Sequence, residues 1–156
     1  ALARVPEAGA ALSLLTLGHV VPMLSFLPQA SGLRRDLFRM GRADWVTWVD
    51  VTAPGDGCCF ALVDPVAVSG QGGSEQTGPL VLSAAFRQSM SAERLKRMRW
   101  RFFRLHFQYL CAFDSGSYDY FRITAGPSSL ASRFEGRKHS PGRFADALSP
   151  YQDRAP

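Results

Sequence analysis

A chain of 156 residues with 46% hydrophobic, 20% charged and 12% aromatic residues has the balance of a folded domain, and at this length folding buries roughly 70% of the surface that an extended chain exposes. The length fits one domain, and the composition argues against a disordered chain. The formal net charge of +5 is no larger than the contribution of one short segment, so it does not by itself define a polyanion-binding protein.

In chain order, the first signal is an uncharged run from Ala8 to Leu33, long enough to be tested as a membrane span. Gly18, His19, Pro22 and Pro28 interrupt it, and a helix broken that often in lipid leaves backbone groups unpaired. A secretory leader is also disfavoured, because no basic start and small-residue cleavage pattern is clear. The run instead predicts a buried strand, "LSLLTLG" (12–18), in a chain that starts inside a larger fold. "SGLRRDLFRMG" follows, with Ser31 as a cap, Leu33, Leu37 and Met40 on one helical face, and Gly41 at the end. Next come two more continuous apolar runs, "WVTWVDV" (45–51) and "PLVLSAAF" (79–86). Such runs are typical of parallel strands covered on both faces, and the intervals between them accommodate crossovers. The expected class is therefore α/β, a mostly parallel sheet with flanking helices.

The stretch "SGQGGSEQTG" (69–78) reads as a polar loop, since Gly-x-Gly without a following helix signal is not a phosphate cradle. From Ser91, a helix cap, the residues Leu95, Met98, Phe102, Leu105, Tyr109 and Ala112 recur at spacings of three and four. This predicts a helix over 92–112, either continuous or broken near Arg101. "SYDYFRI" is β-prone and "GPSSLASRF" suits a short helix. Residues 1–134 are expected to form one domain and 135–156, rich in Gly, Pro, Ser and charge, a flexible tail.

Cys58, Cys59 and Cys111 form neither a disulfide framework nor a Cys-x-x-Cys pair. They are expected as reduced thiols, which points to the cytoplasm, and a nucleophilic role for Cys58 or Cys59 would require a nearby His or cation. No His, Cys or carboxylate pair has metal-ligand spacing, so neither a metal nor a cofactor is expected.

In open α/β sheets the chemistry gathers beyond the carboxyl ends of the strands. "GHVVP", "APGDGCCFALVDP" and the region after "SAAF" occupy those positions. The strand ending in "TLGHVVP", then a helix, a strand with an Asp loop that includes "DPVA", another strand and a late His resemble the second half of an α/β-hydrolase of the class 3 lipase-like branch. The resemblance covers about Leu12 to Phe113. It departs from the pattern at Leu17, where an aromatic belongs, at Pro22, which comes two residues late, and at Ala67, where a Pro belongs. No Gly-x-Ser-x-Gly occurs. The resemblance implies ester or acyl hydrolysis through a Ser-Asp-His relay. Asp56 or Asp64 would be the acid and His106 the base, and the serine would lie upstream, on an absent segment or a second chain. The substrate would be a small ester or a lipid-like molecule. His19 and His139 are weaker candidates for the base.

Two rival readings stand beside it. Arg94, Lys96, Arg97, Arg99, Arg101 and Arg104 lie among Trp100, Phe102 and Phe103, which suits a binding module for nucleic acid or for an anionic membrane surface. Arg94, Arg97, Arg101 and Arg104 are its candidate anion-binding residues. Nucleic acid is the less favoured partner, since Arg supplies most of the cations throughout the chain. The other reading is a hydrolase-like scaffold without catalysis.

Overall fold

The structure, a computed structural model, describes residues 12–115 and 118–151. Its sheet is parallel: β1 (Leu12–Leu17) pairs with β2 (Val46–Thr52), which pairs with β3 (Leu80–Ser83), in the order β1-β2-β3. With the helices around it, this is the expected α/β class.

Side chains alternate across a strand, and on β2 both sets are buried. Val49, Val51 and Ala53 join Leu82, Phe86, Met98, Tyr109, Tyr118 and Leu130 in the larger core, while Trp48 joins Leu37 and Val66 on the other face. β3 is shorter than its apolar run suggests. Ala85 adopts φ +49°, ψ +48°, which turns the chain out of the sheet and into a helix two residues after Ser83.

Between β1 and β2 lie α1 (Val21–Ser25) and α2 (Ser31–Met40). Ser31 is the first residue of α2 rather than its cap, because Ala30 occupies the cap position. Gly41 ends the helix in an ordinary right-handed conformation. What excludes a side chain there is packing, since a Cβ would come 2.8 Å from Val66 Cγ1. Arg34, 1% exposed, donates to the carbonyls of Ser25, Leu27 and Pro28 at 2.8, 2.7 and 3.1 Å. The proline-interrupted run is thereby held against α2, its free carbonyls taken by one guanidinium.

After β3 come α3 (Phe86–Ser89), α4 (Ala92–Met98) and α5 (Phe102–His106), and a 3-10 turn over Phe107–Leu110. Ser91 caps α4 as expected, accepting from the Arg94 amide. The helical signal over 92–112 is broken: Arg101, at φ −111° and ψ 70°, separates α4 from α5. The break lets Met98 and Tyr109 enter the same core while Phe102 turns outward. The stretch read as β-prone forms α6 (Tyr120–Thr124), because the Asp119 carboxylate accepts from the Arg122 amide and starts a helix. α7 (Leu130–Arg133) is capped by Ser129.

The segment expected as a tail follows the outer edge of β3. Val81 N–H donates to His139 Nδ1 at 3.1 Å, Ser140 N–H to the Val81 carbonyl at 2.9 Å, and Ser83 N–H to Ser140 Oγ at 2.9 Å. Farther on, Phe144 bridges to Val63, and the Leu148 and Ser149 amides donate to the Val68 carbonyl. Through Ser149 this segment is thus hydrogen-bonded to the domain.

Candidate active site

β2 delivers its chain to a turn in which the Asp56 amide donates to the Ala53 carbonyl at 3.0 Å. Pro54 occupies the second position and Gly55, at φ +104°, the third; these are the residues a type II turn requires. The turn aims Asp56 back beneath α5. Its side chain is fully buried and both oxygens are used. Oδ1 accepts from the Cys58 amide at 2.9 Å, and Oδ2 accepts from the Tyr109 hydroxyl at 3.0 Å and lies 2.9 Å from His106 Nδ1.

His106 ends α5 with its side chain partly exposed. Because a buried carboxylate accepts, the contact with Asp56 selects the tautomer with the ring proton on Nδ1, in which Nε2 is the acceptor of the neutral ring. Nε2 has no hydrogen-bond partner among the described residues. Tyr109, on the 3-10 turn, supports the pair from below and packs on Phe86 with ring centroids 4.9 Å apart. Burial, reinforced by Cys59 and Asp56, pushes its phenol well above the ordinary range, so it acts as a fixed neutral donor. Across the site lies Gly18, which follows β1 at φ +56°. A Cβ there would stand 2.7 Å from the Tyr109 ring and 2.9 Å from His106 Cε1.

The other expected acid is placed differently. Asp64 Oδ1 accepts from the Val66 and Ala67 amides at 2.9 and 3.0 Å, and Oδ2 accepts from Gln76 Nε2 at 2.9 Å and pairs with the Arg143 guanidinium. It caps the turn after Pro65 and anchors the C-terminal segment. The structure therefore brings His106 to Asp56 and not to Asp64. His139 is the hydrogen-bond acceptor at the β3 edge.

His19 belongs to a second buried polar group. Its Nε2 lies 2.9 Å from Asp50 Oδ1, off the line of a hydrogen bond, and Asp50 Oδ1 accepts from Thr16 Oγ1 at 2.7 Å while Trp48 Nε1 donates to Thr16. The sequence signal for this group is a single carboxylate inside the apolar run "WVTWVDV".

The three cysteines are free. Cys59 Sγ lies 3.5 Å from the Tyr109 hydroxyl, and burial, only partly offset by that contact, pushes its thiol up to about 11. A neutral thiol is a poor nucleophile. Asp56, Cys58 and His106 present ligand atoms within 4.8 Å of one another, the one such metal-binding group among the described residues. The Asp56 oxygens already accept from backbone, imidazole and phenol donors, so its carboxylate is satisfied by the protein alone.

Arg94 is paired with Asp114 at 3.0 Å and also donates to Gln108 and the Ala112 carbonyl. Arg97, Arg101 and Arg104 have no carboxylate partner among the described residues, and with Arg94 they line a cavity of about 440 Å³ beside Met98, Phe107 and Cys111. No helix among the described residues is long and apolar enough to cross a membrane. No family model matches the chain, and neither a curated protein nor a solved structure is similar enough to count as a match.

Proposed function

We propose that this chain carries the acid and the base of a serine hydrolase of the α/β-hydrolase type, one that cleaves an ester or acyl bond of a small or lipid-like substrate with a hydroxyl supplied from outside the described residues. The observation that carries the reading is the 2.9 Å contact of Asp56 Oδ2 with Nδ1 of His106 at the carboxyl end of a parallel sheet. Chain order adds support: the acid follows β2, the imidazole follows β3, and among the described residues the outer edge of β1 has no paired strand. A further parallel strand on that edge would bring a serine to the end of the sheet where Gly18 and His106 meet. The absence of disulfides among the described cysteines favours a cytoplasmic setting.

In such a relay Asp56 keeps the ring proton on Nδ1 and stabilises the imidazolium that forms, while Tyr109 fixes the carboxylate. Nε2 takes the proton of the incoming hydroxyl as its oxygen attacks the acyl carbon. When the tetrahedral species collapses, the carbon–oxygen bond to the alcohol breaks and Nε2 returns the proton to the leaving oxygen. Water repeats the cycle and releases the acid.

The test is labelling of the natural protein by a fluorophosphonate probe, together with hydrolysis of p-nitrophenyl esters. His106→Ala and Asp56→Asn are each expected to lower turnover by about 10³–10⁴-fold with folding retained. Absence of labelling would favour the non-catalytic scaffold, and labelling untouched by His106→Ala would overturn the relay.

A further inference from the structure

Between Glu93 and Asp114 the chain has no acidic residue, and this stretch also holds the three most exposed large apolar side chains among the described residues. Trp100 is 76% exposed, Phe103 74% and Phe107 58%, with Phe102 and Leu110 also open to solvent. All five lie on the corner where α4 breaks from α5 or on the turn that follows. Arg97, Arg99, Arg101 and Arg104 are exposed in the same segment. Arg99 stacks on Trp100 with its guanidinium 5.3 Å from the ring centroid, and Arg97, Arg101 and Arg104 converge on the cavity of about 440 Å³. Isolated exposed apolar residues are ordinary, but a ridge of them rimmed by uncompensated cations is an interaction surface.

We propose that the α4–α5 corner docks on the surface of a lipid bilayer that contains anionic headgroups. Charge complementarity selects the partner: arginines without carboxylates call for phosphate-bearing groups, and Phe and Leu side chains with no polar edge call for an apolar layer directly beneath those groups. A bilayer interface presents both in that order, with Trp at the boundary. A nucleic acid strand would meet the arginines and stack on the flat rings, but it offers nothing for Leu110 or for the apolar wall of the cavity formed by Met98 and Phe107. The docking does not rest on the relay. It adds to it, because His106 sits between Phe103 and Phe107, so a docked corner would hold Nε2 close to the lipid surface.

The experiment is flotation of the natural protein with vesicles of phosphatidylcholine alone and of phosphatidylcholine mixed with phosphatidylglycerol, over a salt series. Binding is expected only to the mixed vesicles, weakening as salt screens the headgroups. Reversing three arginines together (Arg97→Glu, Arg101→Glu, Arg104→Glu) is expected to reduce affinity about 100-fold. All three are exposed, and unchanged circular dichroism verifies the fold. Brominated lipid should quench tryptophan emission in the parent and much less in Trp100→Phe. Vesicle binding that persists in a protein no fluorophosphonate labels would uphold the docking while the hydrolase reading fails, so the two results are separable. Equal binding to both vesicles, no binding to either, or tight binding to a single-stranded oligonucleotide without vesicle binding would each overturn the proposal.

Discussion

Gly18 lies against the candidate relay, and it is constrained twice over. Its φ of +56° disfavours any L side chain, and a Cβ would also overlap the Tyr109 ring and His106 Cε1. Gly55, at φ +104°, has the conformational constraint alone, with nothing within 4 Å of a Cβ. Comparing the two separates strain from overlap. Gly55→Ala should cost about 1 kcal/mol in thermal unfolding, whereas Gly18→Ala should cost about 1–3 kcal/mol beyond that. Gly18→Ala should also reduce fluorophosphonate labelling, because the added methyl pushes His106 off Asp56. Equal unfolding temperatures for the two variants would show that the contact with His106 is easily relieved. At this scale the sequence offered Asp56 or Asp64 and His106 as candidates and marked Pro-Gly-Asp-Gly as a turn, but it did not say which carboxylate meets His106. It was silent about Tyr109, whose place in an apolar stripe describes a ring to be buried. Its hydroxyl finds Asp56 only because the chain breaks at Arg101, and neither Gly nor Pro marks that break.

Among the elements, the three parallel strands were readable as apolar runs, although β1 is exposed or half-buried along its length rather than covered on both faces, and α2 was readable as a periodic segment ending in glycine and α7 as a short helix. Reading failed where a local hydrogen bond or one backbone dihedral decides the outcome. Asp119 turns an aromatic stretch into α6, and Ala85 cuts β3 short. The segment after Phe134 is polar in composition, and two of its residues, His139 and Ser140, hydrogen-bond to the free edge of β3. His139 is the sensitive member of that contact. Nδ1 accepts from the Val81 amide, and burial, together with Arg143 and against the opposing pull of Asp64, lowers its proton affinity below that of an ordinary histidine. In the window between the lowered folded value and the ordinary one near 6.5, the unfolded chain binds more protons, so stability rises with pH there. The contribution is fully present above about pH 6.5 and is lost as pH falls through the folded value. Urea unfolding at about pH 8 and about pH 5.5 should therefore show a smaller acid loss in His139→Gln than in the parent, since Gln accepts from Val81 without titrating. Identical losses would mean that this contact does not sense protons.

For the molecule as a whole, the two edges of the sheet are finished differently. The β3 edge is closed by His139 and Ser140, while the outer edge of β1 has no strand partner among the described residues. An uncovered edge is a template for pairing, and the parallel register fixes which amides are available. Leu12 and Gly18 donate to the Trp45 and Val51 carbonyls on the β2 side, so by alternation the amides of Ser13, Leu15 and Leu17 face away from β2. Hydrogen exchange on this chain alone should therefore find those three amides fast, and Val81 and Ser83 slow. If a nucleophile strand pairs along this edge as the proposed hydrolase requires, exchange in the natural protein should show Ser13, Leu15 and Leu17 protected and the alternate amides unchanged, because only the outward row gains acceptors. If the outward row stays fast while fluorophosphonate labels the protein, the hydroxyl reaches His106 by some route other than a strand on β1. A protected row in a protein that no probe labels would mean that the edge is filled but the relay is not in use.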